Sequence, residues 1–293
     1  MVEDLLATLA LPAFLVAIAA EALFSWRAQK QWYQPKDTAL SLGLLVLSSL
    51  VDLLPKAAAL WLFVLLYSVS PFQGVMQGQW WAWVLLFFLD DFTYYWFHRA
   101  NHEIRLLWAG HEAHHSATLM NFGTALRQGV GERVHKYVFW LPLPLLGFDP
   151  AMIFIMIGLN LFYQFWVHTE SVHTLPRWVE AIFNTPSHHR VHHASNTQYL
   201  DCNHGGILII WDRIFGTFAP YQAQEPIRYG LTHNLSGFNP LHYATHGYRS
   251  LWHDLKRSPD WRTRIRFLIL APGWNFDGPD QRARVLRQTA GAP

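Results

Sequence analysis

Residues 88–103 read FLDDFTYYWFHRANHE, and the fold turns on how this stretch is taken. It closes an apolar run that begins at Trp80, yet it carries two carboxylates, Asp90 and Asp91, and then two imidazoles, His98 and His102. Asp90, Tyr94, His98 and His102 are spaced four apart, so they share one helical face. A carboxylate at the centre of a lipid-facing helix costs about 3 kcal/mol on insertion scales. That face must therefore point into a bundle, and the helix delivers paired imidazoles to the edge of a membrane.

Working outward, the same logic recurs. Residues 110–117, GHEAHHSA, contain His111, His114 and His115, and residues 184–193, NTPSHHRVHH, contain His189, His192 and His193. Offsets of three and four return to one face of a helix, so each cluster aims two or three rings at one point. His168, in YQFWVHTE (163–170), ends an apolar run as His98 does and is expected to stand level with the others. His135, His173, His188, His233, His242, His246 and His253 are read as structural or surface groups. Asp91, Glu103, Glu112 and Glu170 lie close to the proposed ligands and are expected to orient imidazole N–H groups.

Composition narrows the chemistry. The chain has 293 residues, 52% hydrophobic and 14% charged, against about 25% charged in a soluble domain. Mean hydropathy is only +0.09, because apolar blocks in the first half are diluted by a polar second half. The net charge of +2 and dispersed Lys and Arg give no nucleic-acid groove. A lone cysteine, Cys202, excludes internal disulfides and cysteine-ligated clusters, so any metal is held by N and O ligands. The chain carries no flavin, haem or NAD fingerprint, so electrons for any redox reaction come from outside it.

The expected fold is an all-α integral membrane protein of about four transmembrane helices plus a re-entrant hairpin, under a cytoplasmic helical cap. Residues 5–25 make a first span, read as an anchor, and Arg27, Lys30 and Lys36 place the following loop in the cytoplasm. Residues 38–70 are apolar but broken near Pro55-Lys56, as one kinked helix or two short ones. Residues 80–97 return to the histidines. Residues 137–148 and 151–167 then pair as a hairpin that dips in and comes back. The organisation expected is one domain over 1–293: membrane helices in 1–97, a histidine-box core in 98–220, and a cytoplasmic segment in 221–293.

The three boxes, with DFTYYWFHRANHE (91–103), HEAHHSATLMNFGTALRQ (111–128), NTPSHHRVHH and GGILIIWDRIFGTF (205–218), resemble the fatty acid hydroxylase and sterol desaturase superfamily of membrane di-iron proteins. Within it the longest shared phrases are with the ether-lipid-cleaving alkylglycerol monooxygenases. The resemblance implies that His98, His102, His111, His114, His115, His189, His192 and His193 bind two iron ions, with His168 as an extra ligand. It also implies O2-dependent oxidation of a lipid. The reductant would be tetrahydrobiopterin, a ferredoxin or a cytochrome. APGW (271–274) recurs in bacterial members, which suggests a bacterial inner membrane. Two departures stand out: Glu112 replaces a common glutamine, and His204 replaces a common tyrosine.

Two enzyme classes compete on the residues. A di-iron hydroxylase or desaturase of an ether lipid, fatty acyl chain, sterol-like lipid or ornithine-lipid headgroup uses all the clustered histidines. An intramembrane zinc metalloprotease would use only His111-Glu112-x-x-His115 and leave about five clustered histidines unexplained, since catalytic zinc takes three protein ligands. A non-enzymatic metal-binding scaffold is the third reading.

Overall fold

The computed structural model describes residues 2–291, with side chains described from residue 12 onward. Among the described residues the regular structure is helical, with two isolated bridges, Phe183 to Leu208 and Ala194 to Tyr229, and no named strand. The expected first span, 5–25, falls inside helix α1 (Val2–Arg27), though its side chains before residue 12 lie outside the described residues.

Helices α2 (Pro35–Val51) and α3 (Leu53–Ser68) occupy the broken apolar block. They meet at Asp52 with a bend of 46°. Pro55 explains the position: its ring collides with the carbonyl four residues earlier, at Val51, which is where α2 ends. Helix α4 (Trp80–Glu103) is the central element, and α5 (Arg105–His115) folds back on it after a single extended residue, Ile104.

After a short turn, α6 (Phe122–Ala125), the chain doubles back. Helices α7 (Arg133–Trp140) and α8 (Pro142–Leu145) lead into a reversal at Gly147, and α9 (Pro150–Val167) returns. Gly147 has φ +89°, and a Cβ there would lie 2.4 Å from the carbonyl oxygen of Phe72, so no other residue fits. Both arms pack on α3 and α4. The core they form is led by Phe63, Leu86, Phe97, Trp140, Phe148 and Ile153, all fully buried. Each such side chain contributes about 1.5–3 kcal/mol of burial.

Asp90 and Asp91 do face inward. Asp90 accepts from Trp140 Nε1 (2.7 Å) and Asn160 Nδ2 (3.0 Å), which ties α4 to both arms of the doubled-back segment. Among the described residues, α9 alone is long and apolar enough to cross a membrane as one helix, and α2 with α3 passes as a bent pair. The count of about four spans is thus not reproduced by length and hydropathy. Helix α4 is Trp-rich at its start and carries two aspartates, and α7 and α8 are too short.

The remaining helices are α10 (Arg177–Ile182), α11 (Pro186–His192), α12 (Ile210–Phe215), α13 (Pro240–Arg257), α14 (Trp261–Ile269) and α15 (Ala283–Thr289). Helices α13 and α14 cover α5 from outside, and α13 also reaches α2.

Candidate metal centre

Four elements converge on one buried volume. Helix α4 brings His98 and His102, and α5 brings His111, His114 and His115. His168 caps the end of α9, and α11 brings His189, His192 and, at its cap, His193. All nine are buried. They fall into two groups, one of His98, His102, His111, His115 and His192 and one of His114, His168, His189 and His193. Within each group one nitrogen per ring lies within 4.8 Å of every other, a spacing that could hold an ion.

Tautomers show why a cation fits. His98 Nδ1 is bonded to the carbonyl of His204 (2.9 Å), His114 Nδ1 to that of Arg127 (2.9 Å), His168 Nδ1 to that of Gln164 (2.7 Å) and His192 Nδ1 to that of Cys202 (2.9 Å). A carbonyl only accepts, so each of these rings carries its proton on Nδ1 and turns a bare lone pair on Nε2 toward the others. His168 and His114 then oppose lone pairs at 3.4 Å, where no hydrogen bond can form. His98, His102 and His192 leave Nε2 buried without a partner. Two ligands at about 2.1 Å from one ion stand roughly 3.0–3.4 Å apart, depending on geometry. The observed contacts of 2.9 Å (His189 to His168), 3.1 Å (His115 to His111) and 3.1 Å (His193 to His189) match that spacing.

Burial also keeps these rings neutral. It drives the pKa of His114, His115, His189, His192 and His193 well below the usual imidazole value, with neighbouring rings adding to the effect, and pushes His168 down to about 4. Neutral imidazole is the ligand form.

The groups that orient the rings differ from those expected. Glu132 Oε2 lies 3.3 Å from His111 Nδ1, and Asp201 Oδ1 lies 3.1 Å from His102 Nδ1. Burial pushes the Glu132 carboxyl up, but His111 and the nearby cations outweigh it and hold the pKa at about 2. None of the four expected carboxylates bonds a clustered imidazole. Glu112 accepts from His246 Nδ1 (2.8 Å), Glu103 pairs with Arg99 (2.8 Å) at the surface, Glu170 accepts from Tyr229, and Asp91 serves the backbone. For Glu103 and Glu112 the reason is direction: a residue next to a ligand in a helix points about 100° away from it. The true partners come from loops, and their sequence positions carry no periodic signal.

Arg127 belongs with them. Its guanidinium is bound by Asp37 and by Ser41 Oγ (3.2 Å) of α2, which fixes the loop whose carbonyl holds His114.

The sequence that builds this site has relatives among known proteins. Residues 83–217 match the family model described as fatty acid hydroxylase. Residues 83–217 form a fatty acid hydroxylase domain. Over most of its length the chain is similar to the alkylglycerol monooxygenases of Xenopus tropicalis (36% identical, 91% of this chain and 59% of the relative) and Homo sapiens (37%, 92% and 60%). It is also similar to the ornithine lipid hydroxylase OlsE of Rhizobium tropici (33%, 46% and 41%). The chain spans about three fifths of the length of the alkylglycerol monooxygenases it matches. With animal proteins among these relatives, the expected bacterial inner membrane gains no support. No solved structure matches the chain.

The GGILIIWDRIFGTF segment of this fatty acid hydroxylase domain acts as a brace. Asp91 accepts from the backbone N–H of Ile207 (2.7 Å) and Leu208 (3.0 Å) and from Trp211 Nε1 (3.0 Å). Asp212 accepts from the backbone N–H of His204 (2.7 Å) and Gly205 (2.7 Å). Phe215 stacks on Tyr95. The brace presses the 204 carbonyl onto His98, so its role is to hold a ring partner in place.

A cavity of about 290 Å³ reaches the centre at His111, His114 and His168. Phe14, Leu45, Leu161 and Phe165, from α1, α2 and α9, line its apolar part, and Gln128, Glu132 and Lys136 its polar part.

Proposed function

We propose that the chain is an integral-membrane, di-iron, O2-dependent lipid hydroxylase. The observation that carries this reading is two adjacent groups of buried imidazoles, with opposed lone pairs at His114 and His168 and unpartnered Nε2 atoms at His98, His102 and His192, inside a fatty acid hydroxylase domain. Nine imidazoles suit two ions, one held by the five-histidine group and one by the four-histidine group. Imidazole alone does not choose iron. Oxidising an unactivated C–H bond with O2 calls for a redox metal, which zinc is not, and the family match favours iron.

When bound, the iron pair supplies O2 activation and hydrogen abstraction. The chain's residues do the rest. Glu132, Asp201 and the carbonyls of Arg127, Gln164, Cys202 and His204 hold the Nδ1 of His111, His102, His114, His168, His192 and His98, so that six of the nine rings turn Nε2 inward. The burial of all nine rings excludes bulk water. The cavity takes a lipid chain laterally between α1, α2 and α9, whose exposed apolar residues, such as Leu42, Val46, Leu159 and Phe162, suit a lipid surround. Electrons come from an external reductant, whether pterin, ferredoxin or cytochrome, and the metal site faces the cytoplasm by the Arg27, Lys30 and Lys36 signal.

The relatives' names favour an ether-linked glycerolipid, with an ornithine lipid as the next substrate class. A zinc protease is disfavoured because Glu112, its required base, is bonded to His246. Comparative lipidomics of cells expressing the wild type or His192→Ala tests the reading. One lipid class should gain an oxygen, or lose two hydrogens, only with the wild type and only when iron is supplied. Identical lipid profiles would sink it.

A further inference from the structure

His204 is fully buried, and both of its ring nitrogens lack a hydrogen-bond partner, which is true of no other described residue. A neutral imidazole carries one N–H and one lone pair, and both need partners in a dry interior. The main chain cannot retreat to relieve this. The His204 N–H donates to Asp212 Oδ1 (2.7 Å), and its carbonyl accepts from His98 Nδ1 (2.9 Å). The ring lies 5.0 Å from that of His102 and 5.7 Å from those of His98 and His192. Between neighbouring rings of the five-histidine group the separations run from 4.4 Å (His98 to His192) to 5.3 Å (His98 to His102). Those same three neighbours each leave Nε2 buried and unpartnered, so the orphaned nitrogens of four rings converge on one volume.

We propose that His204 is a tenth imidazole of the centre, a ligand to the ion of the five-histidine group, an inference that rests on the two-ion reading above. His204 is not among the five whose nitrogens lie within 4.8 Å of one another, so the ring swings inward on its fixed main chain when the ion binds. Ligation satisfies the lone pair that nothing in the protein reaches. It also divides the work between the ions. Six imidazoles fill the positions of an octahedral ion, whereas four leave positions open. The cavity is lined by His114 and His168 of the four-histidine group and by His111 alone of the other, so the open ion takes the larger share of the wall that faces the lipid.

The test uses the full chain, purified in detergent and loaded anaerobically with iron-57 in its ferrous form. Iron per chain and the Mössbauer spectrum are read for the wild type, His204→Phe and His204→Gly, the last with and without added imidazole. The wild type should show two inequivalent iron signals of equal area. In His204→Phe one signal should move or vanish, with iron falling toward about one per chain after a chelator wash, while the other signal stays. Imidazole added to His204→Gly should restore the first signal. The proposal is overturned if both signals of His204→Phe superimpose on the wild type, or if both are lost in His204→Gly and imidazole restores neither. A wild type that binds no iron, or one iron, instead sinks the two-ion reading itself.

Discussion

At the scale of single residues, contact and adjacency give opposite rankings for the acidic groups. Glu112 neighbours His111 in sequence but bonds His246, whereas Glu132 is 21 residues from His111 and lies at its Nδ1. Glu112→Gln is therefore expected to leave bound iron near the wild-type level. Glu132→Gln should weaken iron binding by roughly 10–100-fold, the usual cost of losing a carboxylate that orients a ligating imidazole. Titration with a competing chelator measures both, and equal affinities for the two variants would contradict the assignment. His114→Ala and His111→Ala should be comparably damaging, since each removes a nitrogen from one of the two groups. A protease-like site would tolerate the first and not the second.

At the scale of elements, the brace from 204 to 218 hangs on α4 through one carboxylate. Asp91→Ala strands the N–H groups of Ile207, Leu208 and Trp211. At about 1–3 kcal/mol for each stranded donor, the loss should be roughly 3 kcal/mol or more. Gly206 tells the same story sterically. A Cβ there would sit 2.7 Å from Tyr94 Cδ1 and 2.9 Å from Asp91 Oδ1, so Gly206→Ala should cost about 1–3 kcal/mol by overpacking. Thermal melts in detergent should show both losses, and an unchanged midpoint for Asp91→Ala would mean that the brace bears no strain.

At the scale of the whole molecule, the buried histidines make the metal-free protein sensitive to acid. Rings whose folded pKa lies below the unfolded value of about 6.5 bind protons more readily when unfolded. His168 at about 4, and His114, His115, His189, His192 and His193 lower than usual, all have this sign. Their contribution to stability is complete above pH 6.5 and is lost as pH falls below it. The melting temperature of the metal-stripped protein should drop steadily from pH 7 to pH 5, and iron should shift the drop to lower pH. A flat profile in the stripped protein would refute the neutral, buried arrangement.

The periodic features were legible in the sequence. The spacing of His98 to His102, His111 to His115 and His189 to His193 needs only helical geometry, and the inward face of Asp90 and Asp91 needs only the cost of charge in lipid. The break in the 38–70 block followed from Pro55, though its place at Asp52 is set by the carbonyl four residues back. Tertiary structure alone decided how the nine histidines divide into groups of five and four, because that depends on how α4, α5, α9 and α11 cross. It alone brought Glu132, Asp201 and the carbonyls of Arg127, Cys202 and His204 to the rings, since contacts between residues 10 to 106 apart through loops leave no periodic trace, whereas the Gln164 carbonyl lies one helical turn before His168. Residue type and spacing determine which side chains can share a face; only packing determines what each face meets.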